Sequence, residues 1–246
     1  MIKTEEEIEL MRIAGKIVGD THNYLKQFIK PGIRTKELDK LAYDYILSRD
    51  ATPSFKGYMG FPGTVCISIN DEVVHGIPSN RKLKDGDIVS IDIGACYKGY
   101  HGDSAWSYPV GKISKEKEYL LKHTEESLFE GLKEAKSGNR IGDISHAIGE
   151  FIEKNGYSVV KEFQGHGIGR EMHEDPGIPN YGKAGRGIRL EPGMTLAIEP
   201  MVIAGKPDIW ELEDGWTIVT QDGSWAAHYE NTILITENEP EVLTML

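Results

Sequence analysis

The chain has 246 residues, 39% of them hydrophobic and 27% charged, with a formal net charge of -11. That supplies apolar residues for a sizeable core, while the excess of acid argues against an extended nucleic-acid-binding face and two cysteines, Cys66 and Cys96, exclude a disulfide framework and suit a reducing compartment. No run approaches the ~20 apolar residues of a membrane span, and the acidic start MIKTEEEIEL lacks the apolar core of a secretory signal, so a cytoplasmic protein without membrane contact is expected.

Thr4 and Glu7 have the spacing of a capping box, and Ile8, Met11, Ala14, Ile17 and Val18 keep a helical period that runs towards Pro31–Gly32. A second helix is predicted over 35–49, followed by strands at 64–69, 88–94 and 104–108. A long helix over 114–136 and another over 141–155, stopped by Gly156, come next. Strands follow near 158–161, 194–199, 217–220 and 226–235. The stretch WELEDGWTIVTQDGS predicts a hairpin with Asp-Gly turns, and DPGIPNYGKAGRG an exposed loop. The class is mixed α/β, of the α+β kind.

The chain also repeats itself. LKDGDIVSID, from Leu83, matches LEPGMTLAIE, from Leu190, with glycine on glycine (Gly86, Gly193) and a carboxylate closing each apolar run. KPGIRTKELDKLAYDYI, from Lys30, matches KSGNRIGDISHAIGEFI, from Lys136, and HGD at His101–Asp103 matches HYE at His228–Glu230. Three blocks in one order predict two related halves, approximately 1–113 and 114–246, each helical first and sheet-forming later, packed about a pseudo-two-fold axis. Such an axis brings Asp92, Asp103, Glu199 and Glu230 together.

Four carboxylates in a dry pocket cannot all stay ionised; either they hold protons or a divalent cation compensates them. His166, between glycines that leave it accessible in FQGHGIGREMHEDPG, adds an imidazole to a mostly oxygen donor set. That set suits two divalent ions ~3.5–4 Å apart, with two carboxylates free to bridge. Taken singly, each residue has an ordinary structural explanation: a strand-edge aspartate, a turn histidine, a glutamate ending a strand before Pro200. The joint pattern carries the metal site.

The segments VCISINDEVVHGIP, LKDGDIVSIDIG, GYHGDSAW, GHGIGREMHEDP, MTLAIEPM and HYENTILIT resemble those of the type I methionine aminopeptidases, bacterial short form, over essentially the whole chain. The resemblance implies a single catalytic domain, 1–246, with the pita-bread fold: two pseudo-symmetric αβ halves around a central antiparallel sheet. It implies a metallo-exopeptidase that removes the N-terminal methionine from nascent polypeptides with a small second residue. Asp92 would bind one metal ion through both oxygens, Asp103 and Glu230 would bridge, and His166 and Glu199 would complete the second site. Co, Mn, Fe(II) and Zn all suit those ligands.

Glu199 is the candidate to take the proton of the attacking water, His173 to stabilise the oxyanion, and His75 to orient the scissile amide. The methionine pocket would fall on Tyr58, Phe61, Cys66 and Trp216, with Phe55 and Met172 nearby. The sequence departs from the family pattern at three of these: a small residue is expected at Phe55, an aromatic at Met172 and tyrosine at Phe61. His101 and His228, each two residues before a ligand candidate, read as supporting or structural residues. A monomer is expected, with the ribosome a possible partner. The alternatives are a related X-Pro peptidase, which ordinarily carries a large N-terminal domain, and a non-catalytic pita-bread binding module, which ordinarily lacks metal ligands.

Overall fold

The computed structural model describes residues 2–246. Helix α1 (Glu5–Lys26) starts on the predicted capping box: Thr4 Oγ1 accepts the Glu7 N–H at 3.3 Å, and the Glu7 carboxylate accepts the Thr4 N–H at 2.9 Å. It stops at Lys26, short of the predicted end, and residues 27–33 form turns. Pro31 biases the residue before it away from helical dihedrals, so the chain leaves the helix ahead of it. Helix α2 (Thr35–Leu47) follows, then β1 (Thr52–Pro53), a 3₁₀ turn at Tyr58–Gly60, and β2 (Cys66–Ile69), β3 (Glu72–Val74), β4 (Ile88–Tyr97) and β5 (Tyr100–Pro109). The second half opens with α3 (Lys115–Glu134) and α4 (Ile141–Lys154) and continues with β6 (Ser158–Val159), β7 (Gly165–Gly167) and β8 (Glu174–Ile178). Its remaining strands are β9 (Thr195–Ile198), β10 (Met201–Ile203), β11 (Ile209–Glu211), β12 (Ile218–Thr220), β13 (Ala226–His228), β14 (Asn231–Leu234) and β15 (Glu241–Val242). Strands β1, β3, β7, β8, β10 and β15 were not expected; runs of two to five residues are too short to carry a period.

Each half buries a helix pair against its own strands. Val18 and Leu25 of α1 and Leu38 and Ile46 of α2 pack on Ile67, Val89, Ile91 and Ile93. Leu120 and Leu128 of α3 and Ile144 and Ile148 of α4 pack on Leu196, Ile198 and Ile233. Trp106 lies against both cores.

The repeat recurs in the hydrogen bonds. Gly32 N–H donates to Leu83 O at 2.8 Å and Leu83 N–H to Ile33 O at 2.9 Å; Gly138 N–H donates to Leu190 O at 3.0 Å and Leu190 N–H to Asn139 O at 2.7 Å. The matched glycines Gly86 and Gly193 turn with φ 89° and 88°, a left-handed conformation that explains the residue type in both copies.

All strand pairs are antiparallel; β3 pairs with β12 across the halves, and β5 meets the second half through individual bonds. Glu230 N–H donates to Ala105 O at 2.8 Å, and Asp103 N–H donates to Thr232 Oγ1 at 3.0 Å. The matched positions Asp103 and Glu230 thus each anchor their backbone on the opposite half.

The strand expected over 226–235 is broken. β13 pairs with β10 and β14 with β9, and between them Tyr229–Glu230 lies opposite Glu199–Pro200. Pro200 has no N–H to give to a ladder, so the pairing is interrupted at that point. Both interruptions fall on glutamates, which lie on facing strands.

Candidate active site and metal centre

Strand register brings the acids together. Asp92 pairs with Ala105, and Asp103 pairs with Gly94, so the two aspartates are diagonal neighbours on one face of the β4–β5 ladder. Cys66 is paired with Asp92 on its other side. His166 pairs with Ala197, two residues before Glu199, which places His166 and Glu199 on one face. The glycines beside His166 have a reason other than access: a Cβ on Gly165 would collide with Ala197 O, and one on Gly167 with Asp175 O.

Oxygens and nitrogens of Asp103, His166 and Glu230 lie within 4.8 Å of one another, as do those of Glu199, His228 and Glu230. His166 Nε2 is 3.5 Å from Glu199 Oε1 and 3.9 Å from Asp103 Oδ2. His166 Nδ1 donates to Gly167 O at 2.8 Å, so Nε2 keeps its lone pair towards the acids. Asp92 stands against Asp103 but outside both of these tight groups.

Burial sets the electrostatics. It pushes the Glu199 carboxyl up to about 8 and the Asp92 carboxyl up to about 6. Asp103 and Glu230 are pushed well above the ordinary range, by burial first and then by each other's neighbourhood of acids. Burial also holds His166 and His75 down at about 4, and lowers His173 and His228. Asp92 Oδ1, Asp103 Oδ1, Glu230 Oε1 and His228 Nε2 are buried without a hydrogen-bond partner. Unpaired acceptors converging on a neutral imidazole are what a divalent cation satisfies, so the donor set fits metal.

A cavity of about 620 Å³ opens over this cluster, and every residue named as a candidate from the sequence lines it: Tyr58, Phe61, Cys66, His75, Asp92, Asp103, His166, His173, Glu199, Trp216 and Glu230. One end is apolar. Phe55, Phe61, Cys66 and Met172 are buried together, with Tyr58, Ile77 and Trp216 packed on them. Phe61 meets Trp216 edge-on at 5.1 Å between ring centroids. Phe55, where a small residue was expected, fits because its neighbour is Gly94, on which a Cβ would press into the ring. Cys66 is buried and its thiol pushed well up by that burial, so it stays a neutral wall. His75 adopts φ 60°, a conformation that costs a β-carbon-bearing residue about 1 kcal/mol or more, and its ring meets Phe163 edge-on at 5.4 Å. His173 packs on His166 at 4.3 Å, and its Nδ1 is 2.8 Å from the Tyr58 hydroxyl.

Residues 9–237 match the model of metallopeptidase family M24. Methionine aminopeptidase 1 of Bacillus subtilis is 58% identical over 98% of this chain and 98% of its own length. The chain belongs to the methionine aminopeptidases of metallopeptidase family M24. The crystal structure of the Thermotoga maritima methionine aminopeptidase superposes with a TM-score of 0.98 at 47% identity, covering 100% of this chain and 99% of that one. Prolidase from Pyrococcus furiosus superposes at 0.81 with 26% identity, and only 65% of that chain is covered. The pita-bread architecture is therefore shared across the family, and the extra length lies on the prolidase side.

Within this family fold, the two histidines read as supporting or structural residues part company. His228 is 2% exposed, lines the cavity, and places Nε2 3.5 Å from Glu199 Oε2. His101, read in the same way, is turned to Ser54, whose Oγ is 2.8 Å from its Nδ1, and it is not a wall of the cavity. The signal for His228 was its period-2 spacing to Glu230; what separates it from His101 is the strand break, which spacing does not reveal.

The acids predict a pH dependence for the metal-free protein. A carboxyl whose folded pKa is raised keeps a proton that the unfolded chain has released, so its contribution is intact below the unfolded pKa and is lost as pH rises through the folded one. For Glu199 that loss extends to about 8. Histidines held down, such as His166 and His75 at about 4, act the other way: they cost stability as pH falls below their unfolded value of about 6.5. Between about pH 6.5 and 9 the acids therefore dominate. The Tm of chelator-treated protein should fall across that window, and saturating Mn²⁺ should flatten the fall. A level metal-free profile would contradict burial of the acids as its source.

Proposed function

We propose that this chain removes the N-terminal methionine from polypeptides whose second residue is small, in a metal-dependent hydrolysis. The observation that supports it most is the meeting, in one cavity, of a buried acid cluster with unpartnered oxygens and an apolar end. Full-length identity to methionine aminopeptidases points the same way. In this reading Asp92, Asp103, His166, Glu199 and Glu230 would hold two divalent ions, with Asp103 and Glu230 the candidates to serve both. Metal bound there supplies Lewis-acid activation of water and of the scissile carbonyl.

The chain's own groups do the rest. Glu199 faces into the cavity with its side chain 13% exposed, and it takes the proton of the attacking water and returns it to the departing amine. The Tyr58 hydroxyl, the stronger donor of the pair, donates to His173 Nδ1, which leaves the imidazole hydrogen on Nε2 for the developing oxyanion. His75, held between Phe163 and Trp216, orients the scissile amide. Tyr58, Phe61, Cys66 and Trp216, with Phe55 beside them, receive the unbranched methionine side chain, and Met172 packs behind that wall. The preference for a small second residue rests on the resemblance to the methionine aminopeptidases.

In this reading the chain is a single catalytic unit over 1–246, with its halves dividing near residue 113, that acts as a cytoplasmic monomer on nascent chains at the ribosome; the lining of one cavity by residues of both halves supports the single unit. Among the described residues, no helix is long and apolar enough to cross a membrane.

The test is hydrolysis of Met-Ala-Ser against Ala-Pro-Ala under titration with Mn²⁺, Co²⁺, Fe²⁺ and Zn²⁺, with chelator controls. Cleavage of the first peptide alone, lost on chelation, is expected; preference for Ala-Pro-Ala would favour the X-Pro alternative. His173→Ala should lower kcat roughly 10²–10³-fold, the range for loss of one oxyanion donor, with a smaller change in KM. A full-rate His173→Ala enzyme would remove that role.

A further inference from the structure

His173 sits at the end of an irregular segment, residues 168–173, between β7 and β8. The segment is anchored early: Ile168 N–H donates to Thr195 O at 3.2 Å, and His101 N–H donates to Gly169 O at 2.8 Å. At its far end, directly after His173, stands Glu174, paired across the ladder with Gly167. Glu174 Oε1 accepts the Glu171 N–H at 3.4 Å, closing the turn that carries His173. Glu174 Oε2 accepts from Lys3 Nζ at 2.6 Å.

Lys3 comes from far away in the chain and is itself fixed. Its N–H donates to Gly193 O at 2.8 Å, and Ile2 bridges to Met194, at the root of the strand that leads to Glu199. Its side chain runs over Gly169, where any Cβ would collide with Lys3 Cε and with the Glu174 carboxylate. The ion pair is largely out of water, with side chains 7% and 18% exposed. Exposed pairs contribute little, but a pair this enclosed is costly to break on one side. Burial pushes the Glu174 carboxyl up, yet the Lys3 ammonium together with the Glu171 N–H holds the group below its ordinary value.

We infer that the Lys3–Glu174 ion pair clamps the 168–173 segment and thereby positions His173 over the reacting bond, which makes Lys3 a positioning residue for catalysis. The inference rests on the role proposed for His173. Lys3 touches neither the acid cluster nor the methionine pocket; it acts through the segment. A clamp of this kind matters because a displacement of about 1 Å at a catalytic group costs up to about 10²-fold in rate.

The test compares wild type, Lys3→Met, His173→Ala and the Lys3→Met/His173→Ala double variant with Met-Ala-Ser at saturating Mn²⁺, reading kcat, KM and Tm. Lys3→Met should lower kcat about tenfold to 10²-fold with a much smaller change in KM. In the His173→Ala background it should lower kcat less than about twofold, because the group it positions is gone. Lys3→Met also strands a buried carboxylate, so its Tm should drop by roughly 5–15 °C. Lys3→Met/Glu174→Gln, which leaves no unpaired charge, should regain most of that Tm but not the kcat. The clamp is overturned if Lys3→Met has wild-type kcat per folded molecule, if its kcat loss is the same in both backgrounds, or if kcat recovers together with Tm. Wild-type kcat in His173→Ala alone would instead overturn the role of His173, and the clamp with it.

Discussion

Glu199→Gln should reduce kcat by at least about 10³-fold and leave the fold intact. The side chain is nearly isosteric and sits in the strand break opposite Tyr229–Glu230, where the ladder pairs of Ile198 and Met201 on either side and the Asn180 Nδ2–H bond to Glu199 O at 2.9 Å hold the backbone. Its oxygens lie 3.5 Å from His166 Nε2 and 3.5 Å from His228 Nε2. The substitution removes a proton acceptor, worth about 10²–10⁴ in rate, and an anionic ligand at once. It also removes a buried charge from a cluster of acids, so the metal-free variant should unfold at the wild-type Tm or above it, most visibly above pH 8, where the Glu199 carboxyl ionises. Calorimetry and a metal-saturated rate measurement read both effects. Retained turnover would overturn the assignment of Glu199 as the base; a collapse of Tm would show its carboxylate to be structural.

Glu230→Ala should cost more in metal than any other single change. Glu230 is the residue common to both tight donor groups, Asp103–His166–Glu230 and Glu199–His228–Glu230. Its backbone is independently secured, since its N–H donates to Ala105 O and its carbonyl accepts from Ser104 Oγ at 2.7 Å. Truncation therefore deletes ligand oxygens without freeing the strand. Calorimetric titration with Mn²⁺ at fixed pH should show affinity lost more than about 10²-fold at both sites, beyond the 10–100-fold ordinarily seen on losing a supporting residue. Asp92, which lies outside both groups, should on replacement by alanine weaken one site and spare the other. Equal and mild effects from Glu230→Ala, Asp103→Ala and Asp92→Ala would contradict a shared role for the first two.

Much of the site was legible because it is repeated. Gly86 and Gly193 must turn left-handed in both copies, and Leu83 and Leu190 make the same backbone bonds, so the same residue types recur at the same spacing. The capping box at Thr4 and Glu7 was readable for a simpler reason: it is a bond between residues three apart. The missed features involve partners far apart in the chain. The small neighbour that admits Phe55 is Gly94, and the cation that meets Glu174 is Lys3. The place of His228 in the cavity depends on where the 226–234 segment breaks, and that break is set by Pro200 on the opposite strand.

The sequence by itself determined the two-fold repeat, the donor types, and which residues share a face within one strand, because side chains alternate with a period of two and turns demand their own residues. Only the tertiary structure decided which faces meet: that Asp92 lies diagonal to Asp103, that His166 shares a face with Glu199 through Ala197, and that Glu230 belongs to both donor groups while His101 belongs to neither. The physical reason is register. A slip of one residue between two strands turns every side chain to the other face; register within each half is held by its ladders, and the halves are set against each other by bonds such as Glu230 N–H to Ala105 O and Asp103 N–H to Thr232 Oγ1.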